Sequence, residues 1–363
     1  MNNTVYFPNY TVGEDAYSQI ENICSPFGNK AVVIGGKTAI EKTKDLLLDS
    51  IKDNKIEIID FIWYGGEAAY EHAEKLINNE IVKSADMIFA VGGGKAIDTC
   101  KYVADKLSKP LFTFPTIAST CAAISAIGVY YTPEHIYTGI YRAKKPAINV
   151  FISTKVIAEA PEVYLWAGIG DSMAKEIEVT FSGRDKEDEM TLSDLCGVCL
   201  STACTRPLLK YGIQALEDCK TNKPSEAIEQ VAVNIIINTG MVSNMVDSVK
   251  YNTSLAHALF NSFTSLKQVE EKHLHGEVVA YGALVLLTMD KQFDRRDIFY
   301  DFYKILKLPT KLSDIEVEVS ELDIVMKQVI TKYDIETAPY KITPELIMKA
   351  ILDLEEYNKL KEK

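Results

Sequence analysis

A chain of 363 residues, 47% of them hydrophobic and with a mean hydropathy near zero, is long enough to bury a large core and to divide into two domains. Its net charge of -12 and pI near 5.1 remove the basic face that nucleic acid or an anionic membrane would require. No apolar run approaches the roughly 20 residues of a membrane helix, and Met1-Asn-Asn-Thr-Val-Tyr-Phe-Pro8 is not a basic region followed by an apolar core. Small-molecule chemistry in the cytoplasm is therefore expected, without nucleic acid or membrane as partner.

Up to about residue 160 short apolar runs alternate with helical patterns. Lys30–Gly35 reads as a strand, Thr38–Lys52 as a helix, Ile56–Phe61 as a strand and Glu67–Lys83 as a helix. Asp86-Met-Ile-Phe-Ala-Val-Gly-Gly-Gly-Lys-Ala-Ile-Asp98 then runs from a strand through three glycines into the helix Ile97–Leu107. Glycines let the backbone approach an anion, and the free amides and positive dipole end of a helix point at the same place. The run is neither a Walker loop, since Phe89 replaces its first glycine and Ala96 follows Lys95, nor a GxGxxG fingerprint, since Ile97 holds the third glycine position. Spacing alone leaves a phosphate cradle and a plain tight turn both open.

Pro110–Phe114 is the next strand, Gly128–Pro133 and Thr138–Arg142 a hairpin, and Ile148–Ile152 a further strand. This βαβα rhythm predicts an α/β domain over 1–160, a parallel sheet with helices on both faces whose ligands bind beyond the carboxyl ends of the strands. After Pro161 helical spacing dominates, so 161–363 is expected to be all-helical.

Within that second half, Trp166-Ala-Gly-Ile-Gly-Asp171 ends in a carboxylate at a glycine-softened helix start. Met190–Arg206 reads as helix and carries Cys196-Gly-Val-Cys199 and Cys204. With seven cysteines and no export signal, reduced thiols that fill a helix face are the simpler reading than a redox or metal pair. Helices are expected over Glu226–Val249, Thr253–Leu266 and Gly276–Phe293, and the charged stretch Glu355–Lys363 reads as a solvated, fraying helix end. His257, Asn261 and Thr264 share one face of an otherwise apolar helix, and His275 opens another. One Asp and two His with an open fourth position suit a catalytic divalent metal such as zinc or iron. Taken singly, Asp171 would be a helix cap, His257 a satisfied core histidine and His275 a cap or surface group.

Val91–Asp98, Phe114–Thr120, Ala167–Ala174, Ala256–Thr264, His275–Gly282 and Leu308–Thr310 occur in an order that resembles the glycerol dehydrogenase branch of the iron-containing alcohol dehydrogenase family. The resemblance runs over nearly the whole chain and extends to the plan of dehydroquinate synthases. It implies a Rossmann-like nicotinamide-binding domain, a helical metal-binding domain and a cleft between them where a secondary alcohol and NAD or NADP exchange hydride. Carried over by position, Gly93, Gly94, Lys95, Thr116 and Ser119 would hold the cofactor phosphates, Ser125, Ile127 and Tyr131 would line the nicotinamide side, and Asp171, His257 and His275 would bind one divalent metal, by preference zinc. His273 falls two residues short of a ligand position and is expected behind the ligands or at the surface, and Cys100 in packing. A homo-oligomer is also implied.

Two positions depart from that branch. Cys121 stands where it has an Asp that holds a substrate hydroxyl; a thiol is a poorer acceptor and brings no charge against an anion, which opens a 2-hydroxycarboxylate dehydrogenase reading, unless Cys121 only packs beside an unchanged pocket. Lys37 stands where the branch has an Asp suited to the adenosine ribose, so a 2'-phosphate, and with it NADP, becomes possible; a solvated loop lysine is the plain alternative. A glycerol-1-phosphate dehydrogenase shares the plan, as does a dehydroquinate synthase-like lyase, which would need a Lys/Arg cluster that the histidine motifs lack.

Overall fold

The computed structural model describes residues 5–247 and 249–362, which pack as two units. One comprises 1–165 and 214–241, the other 166–213 and 242–363. Residues 214–241 thus pack with the first unit rather than with the helices that flank them in sequence, a return that apolar periodicity does not encode.

The first unit is built on strands β1 (Asn9–Gly13), β2 (Lys30–Gly35), β3 (Glu57–Trp63), β4 (Met87–Gly92), β5 (Leu111–Pro115), β6 (Ile127–Tyr131), β7 (Tyr137–Arg142) and β8 (Asn149–Ser153). Six form one parallel sheet in the order β1-β8-β5-β4-β2-β3, and β6 and β7 form an antiparallel hairpin. Every residue of β4, β5 and β8 is buried, as expected when both faces of a parallel sheet are covered. Val33, Phe89, Val91, Phe112, Phe114 and Phe151 make the core beneath one face. β1 was not anticipated: it is a short edge strand with polar Asn9 and Thr11, identifiable only by its register against β8.

Several helices differ from their sequence reading. Glu67–Lys83 is two helices, Tyr70–Ile77 and Glu80–Ser84, the second capped by Asn79. The helix expected over Glu226–Val249 contains a π turn at Asn234–Asn238 and closes with Thr239–Met245. Leu192–Ser201 ends before a new helix begins at Thr205, and Gly276–Phe293 divides into His275–Met289 and Phe293–Leu306. The C-terminal stretch is not simply solvated. It belongs to the helix Pro344–Lys361, in which buried Asn358 donates to Thr310 O at 2.7 Å and accepts from Tyr300 OH at 3.0 Å.

The second unit is helical throughout its described residues. Its central helix, His275–Met289, is buried on nearly every side, and glycines bring its neighbours to backbone contact. A Cβ on Gly170 would lie 2.4 Å from Gly276 O, one on Gly276 would lie 1.9 Å from Ala167 O, and one on Gly282 would meet Ala256 Cα at 2.8 Å. The helices that carry residues 171, 257 and 275 therefore approach closer than any side chain at these three positions would allow.

Candidate functional site

Asp171 does not open a helix. It lies inside Glu162–Gly183, because Gly168 and Gly170 lie within that helix and Gly170 serves close packing rather than a helix start. Its buried carboxylate meets two rings: Oδ1 lies 3.5 Å from His257 Nε2 and 3.3 Å from His275 Nε2. The three ligand atoms fall within 4.8 Å of one another. His257 is on the first turn of Leu255–Phe263, and His275 is the first residue of its helix, its ring held edge-on by Phe260 at 4.3 Å.

Behind His257 stands Glu178, fully buried and overlooked in the sequence. Its Oε1 accepts from the backbone amides of Ser254 at 2.8 Å and His257 at 3.0 Å, and Oε2 lies 2.6 Å from His257 Nδ1. A carboxylate at Nδ1 fixes the tautomer and leaves Nε2 as the ligand atom. Glu178 follows Asp171 by two helical turns and so lies on the same face of its helix, but nothing in the sequence sets it apart from a solvated carboxylate. Lys175, on the same face and also buried, donates to Asn252 O and Oδ1, both at 3.0 Å. Burial pushes the Asp171 carboxyl up, but hydrogen bonds and charge from His257 and His275 outweigh it and hold it far below the carboxylate range. Burial likewise opposes the charged form of His257, yet the charge of Glu178 and the bond to Asp171 push it up to about 10. Two carboxylates thus face one imidazole ring from opposite nitrogens, an arrangement that suits a cation. The oxygen and two imidazole nitrogens fit a divalent metal that leaves a position open, and such an ion, when bound, makes a substrate hydroxyl easier to deprotonate and a carbonyl easier to reduce.

His273 is not at the surface. Its side chain is only 9% exposed, with Nδ1 2.8 Å from Glu277 Oε1, while the other oxygen of Glu277 accepts from Leu274 N and so braces the turn leading into His275. Cys196 and Cys199 are exposed, which corrects their reading as packing residues; Cys204 and Cys100 are buried.

In the first unit the chain leaves β2 for one edge of the sheet and returns in β4 on the other side of β2, so the carboxyl ends of these two strands form the switch point where such sheets bind ligands. The glycine cradle is there. Gly92 has φ +145, and Gly93 caps the helix Gly94–Leu107 with no side-chain bond to its first amides. A Cβ on Gly93 would strike Ile117 Cδ1 at 2.7 Å, whereas one on Gly94 would find ordinary contacts at 3.6 and 3.7 Å. Lys37 begins the helix after β2 with Nζ 4.5 Å from the Trp63 ring centroid. Thr116 follows β5 and donates its amide to Gly92 O at 3.2 Å, and Ser119 is half-buried in the next loop. Cys121, half-buried there, packs against Gly240, where a Cβ would lie 3.2 Å from Cys121 Cβ.

Ser125 and Ile127 are held by a buried ion pair not seen in the sequence. Lys101 Nζ reaches Asp98 Oδ1 at 2.8 Å, Ile127 O at 2.5 Å and Ser125 Oγ at 3.4 Å, and Asp98 Oδ2 accepts from Val129 N at 3.0 Å. Tyr131 ends β6 with its ring centroid 5.5 Å from Lys95 Nζ, and Lys95 pairs with buried Glu67 at 2.6 Å.

Residues 8–151 match the model of the family described as iron-containing alcohol dehydrogenase. The chain is 30% identical to a glycerol dehydrogenase of Thermotoga maritima over 371 residues, 99% of this chain and 98% of that one. It is 32% identical to hydroxycarboxylate dehydrogenase A of Escherichia coli over 75% of each chain. The crystal structure of a glycerol dehydrogenase from Schizosaccharomyces pombe superposes with a TM-score of 0.87 at 25% identity, over 99% of this chain and 92% of that one. Sequence, fold and the similarity over full length together establish that the chain belongs to the iron-containing alcohol dehydrogenase family, in its glycerol dehydrogenase-like branch, and is an oxidoreductase acting on CH-OH groups.

Proposed function

We propose that the chain transfers hydride between a nicotinamide cofactor and a secondary alcohol of polyol type, glycerol being the substrate of several relatives. The observation that carries this is the arrangement of Asp171, His257 and His275 around one point, with Glu178 behind it. Those three residues would hold the metal, and the nitrogen-rich donor set favours zinc, with iron the alternative. Glu178 keeps His257 in the ligating tautomer, and Phe260 limits rotation of His275. The first amides of the helix after Gly93, to which the cap offers no side-chain bond, would take the cofactor phosphates, with Thr116 and Ser119 beside them; Ser125, Ile127 and Tyr131 would face the nicotinamide. Lys37, which no described carboxylate pairs, supports use of a 2'-phosphorylated cofactor as well as NAD. A homo-oligomer in the cytoplasm is the setting proposed.

A second reading keeps the reaction and changes the substrate. Cys121 removes the carboxylate that would hold a second glycerol hydroxyl, and the 32% identity to a hydroxycarboxylate dehydrogenase points the same way. Nicotinamide absorbance, followed with a panel of polyols, 2-hydroxy acids and 2-oxo acids and with NAD(H) or NADP(H), separates the two. Turnover of none of these compounds would refute both.

A further inference from the structure

We propose that Glu67 is the positioning residue of the cofactor site, one buried carboxylate that sets both Lys95 of the cradle and the turn of the β6–β7 hairpin. The proposal rests on the reading of Gly93, Gly94, Lys95, Ser125, Ile127 and Tyr131 as the nicotinamide cofactor site.

Glu67 lies in Trp63-Tyr-Gly-Gly-Glu67-Ala-Ala, the link between β3 and the helix Tyr70–Ile77, and is 2% exposed. A carboxylate is buried so fully only when its oxygens are bonded. Here Oε2 meets Lys95 Nζ at 2.6 Å and His135 Nδ1 at 2.5 Å, and Oε1 accepts from Ala68 N at 2.9 Å. The adjoining backbone continues the pattern: Ala68 O accepts from Tyr131 N at 2.9 Å, and Glu67 O lies 3.0 Å from His72 Nδ1. Two segments distant in sequence, the cradle lysine and the end of β6 with the hairpin turn that follows it, thus converge on residues 67 and 68. The backbone turns sharply at the same place, with Gly65 at φ +116 and Gly66 at φ +101, which glycine adopts freely, and the non-glycine His135 at φ +69. A histidine in the left-handed region persists where its surroundings hold it, and Glu67 is the group that its ring reaches. Burial pushes the Glu67 carboxyl up, but the bonds from Lys95 and His135 outweigh it and keep it ionised below the ordinary glutamate range.

The charge balance decides what Glu67 contributes. Because Glu67 neutralises Lys95, the lysine brings the phosphates orientation rather than net charge, and the helix amides carry the attraction. Removing Glu67 would then loosen the site. If Lys95 acted instead as a free cation, removing its counter-ion would tighten phosphate binding, so the sign of the change separates the two roles.

The test is NADH binding by fluorescence titration to the full chain and to Glu67→Ala and Glu67→Gln, with bound metal measured in parallel. Glu67→Ala should raise the NADH Kd about tenfold or more, the scale of one lost bond to a charged group, with metal content unchanged. Glu67→Gln keeps an acceptor and should recover part of the affinity, and Glu67→Ala should speed hydrogen exchange across 127–142. Equal or tighter NADH binding by folded Glu67→Ala overturns the proposal, and should that variant not fold, an unchanged Kd in Glu67→Gln does the same. Wild-type protein that binds neither NADH nor NADPH refutes the cofactor-site reading itself, a result distinct from wild-type binding that the variants leave untouched.

Discussion

Replacing Glu178 with Gln removes one charge and changes almost no volume, which makes it the sharpest probe of the metal pocket. The native carboxylate accepts three bonds: from Ser254 N, from His257 N and at His257 Nδ1. A glutamine has one acceptor oxygen, and if it keeps the two backbone amides, its NH2 group faces Nδ1. The imidazole must then accept there and carry its proton on Nε2, the atom that points at Asp171. The ring is turned into the wrong tautomer for a ligand. One hydrogen bond to a charged group contributes about 1.5 to 3 kcal/mol, or roughly ten- to hundredfold in an equilibrium constant, and loss of a carboxylate behind a ligating histidine falls in the same range. Zinc affinity measured by competition with a chromophoric chelator should therefore fall by about that factor, with circular dichroism unchanged. Glu178→Asp, which keeps the charge on a shorter stem, should lose less. Wild-type metal affinity in Glu178→Gln would show that His257 is not oriented by this carboxylate and would undo the assignment of Nε2 as ligand.

Gly94→Ala should weaken NADH binding while leaving the unfolding midpoint unchanged, because its Cβ meets the protein only at ordinary distances; full NADH affinity would place the phosphates elsewhere. Gly93→Ala is the poorer probe, since its Cβ strikes Ile117 before any ligand. His257, unfolded, has the ordinary pKa of 6.5, and folded it is pushed up to about 10, so its contribution to stability is complete below 6.5 and is lost as pH rises through 10. Denaturant unfolding of chelator-treated protein should therefore show stability falling between those values, and a His257→Gln variant with the same slope would contradict this. Cys121→Asp should raise activity on glycerol relative to 2-hydroxy acids by on the order of tenfold; an unchanged ratio of kcat/KM values would make Cys121 a packing residue.

What could be read from the residues was whatever local patterning controls. The strand and helix around Gly92–Gly94 and the hairpin are local, and each was visible as a run with its own punctuation. His257 stood out because a polar residue in an apolar helix needs a partner; Asp171 and His275 were set beside it as polar groups at helix starts, and by the family resemblance. Glu178 and Glu67 were not, because a carboxylate in a helix or loop looks solvated until folding shows three donors around it. Asp171 was misplaced at a helix start for a related reason: Gly168 and Gly170 look like helix breakers, whereas Gly170 is small so that Gly276 O can come close. The buried Asn358 was hidden in a charged run whose partners, Tyr300 and Thr310, lie about fifty residues away.

The central claim is that Asp171, His257 and His275 hold one divalent metal on which alcohol oxidation depends. Protein stripped by a chelator and titrated with zinc or ferrous iron, with nicotinamide reduction followed in the presence of glycerol or a 2-hydroxy acid, tests it most directly. No turnover is expected without metal, with full recovery at one ion per chain, and with neither bound metal nor recovery in His257→Ala that remains folded. Turnover by the metal-free protein, or one ion per chain still bound by His257→Ala, would contradict it.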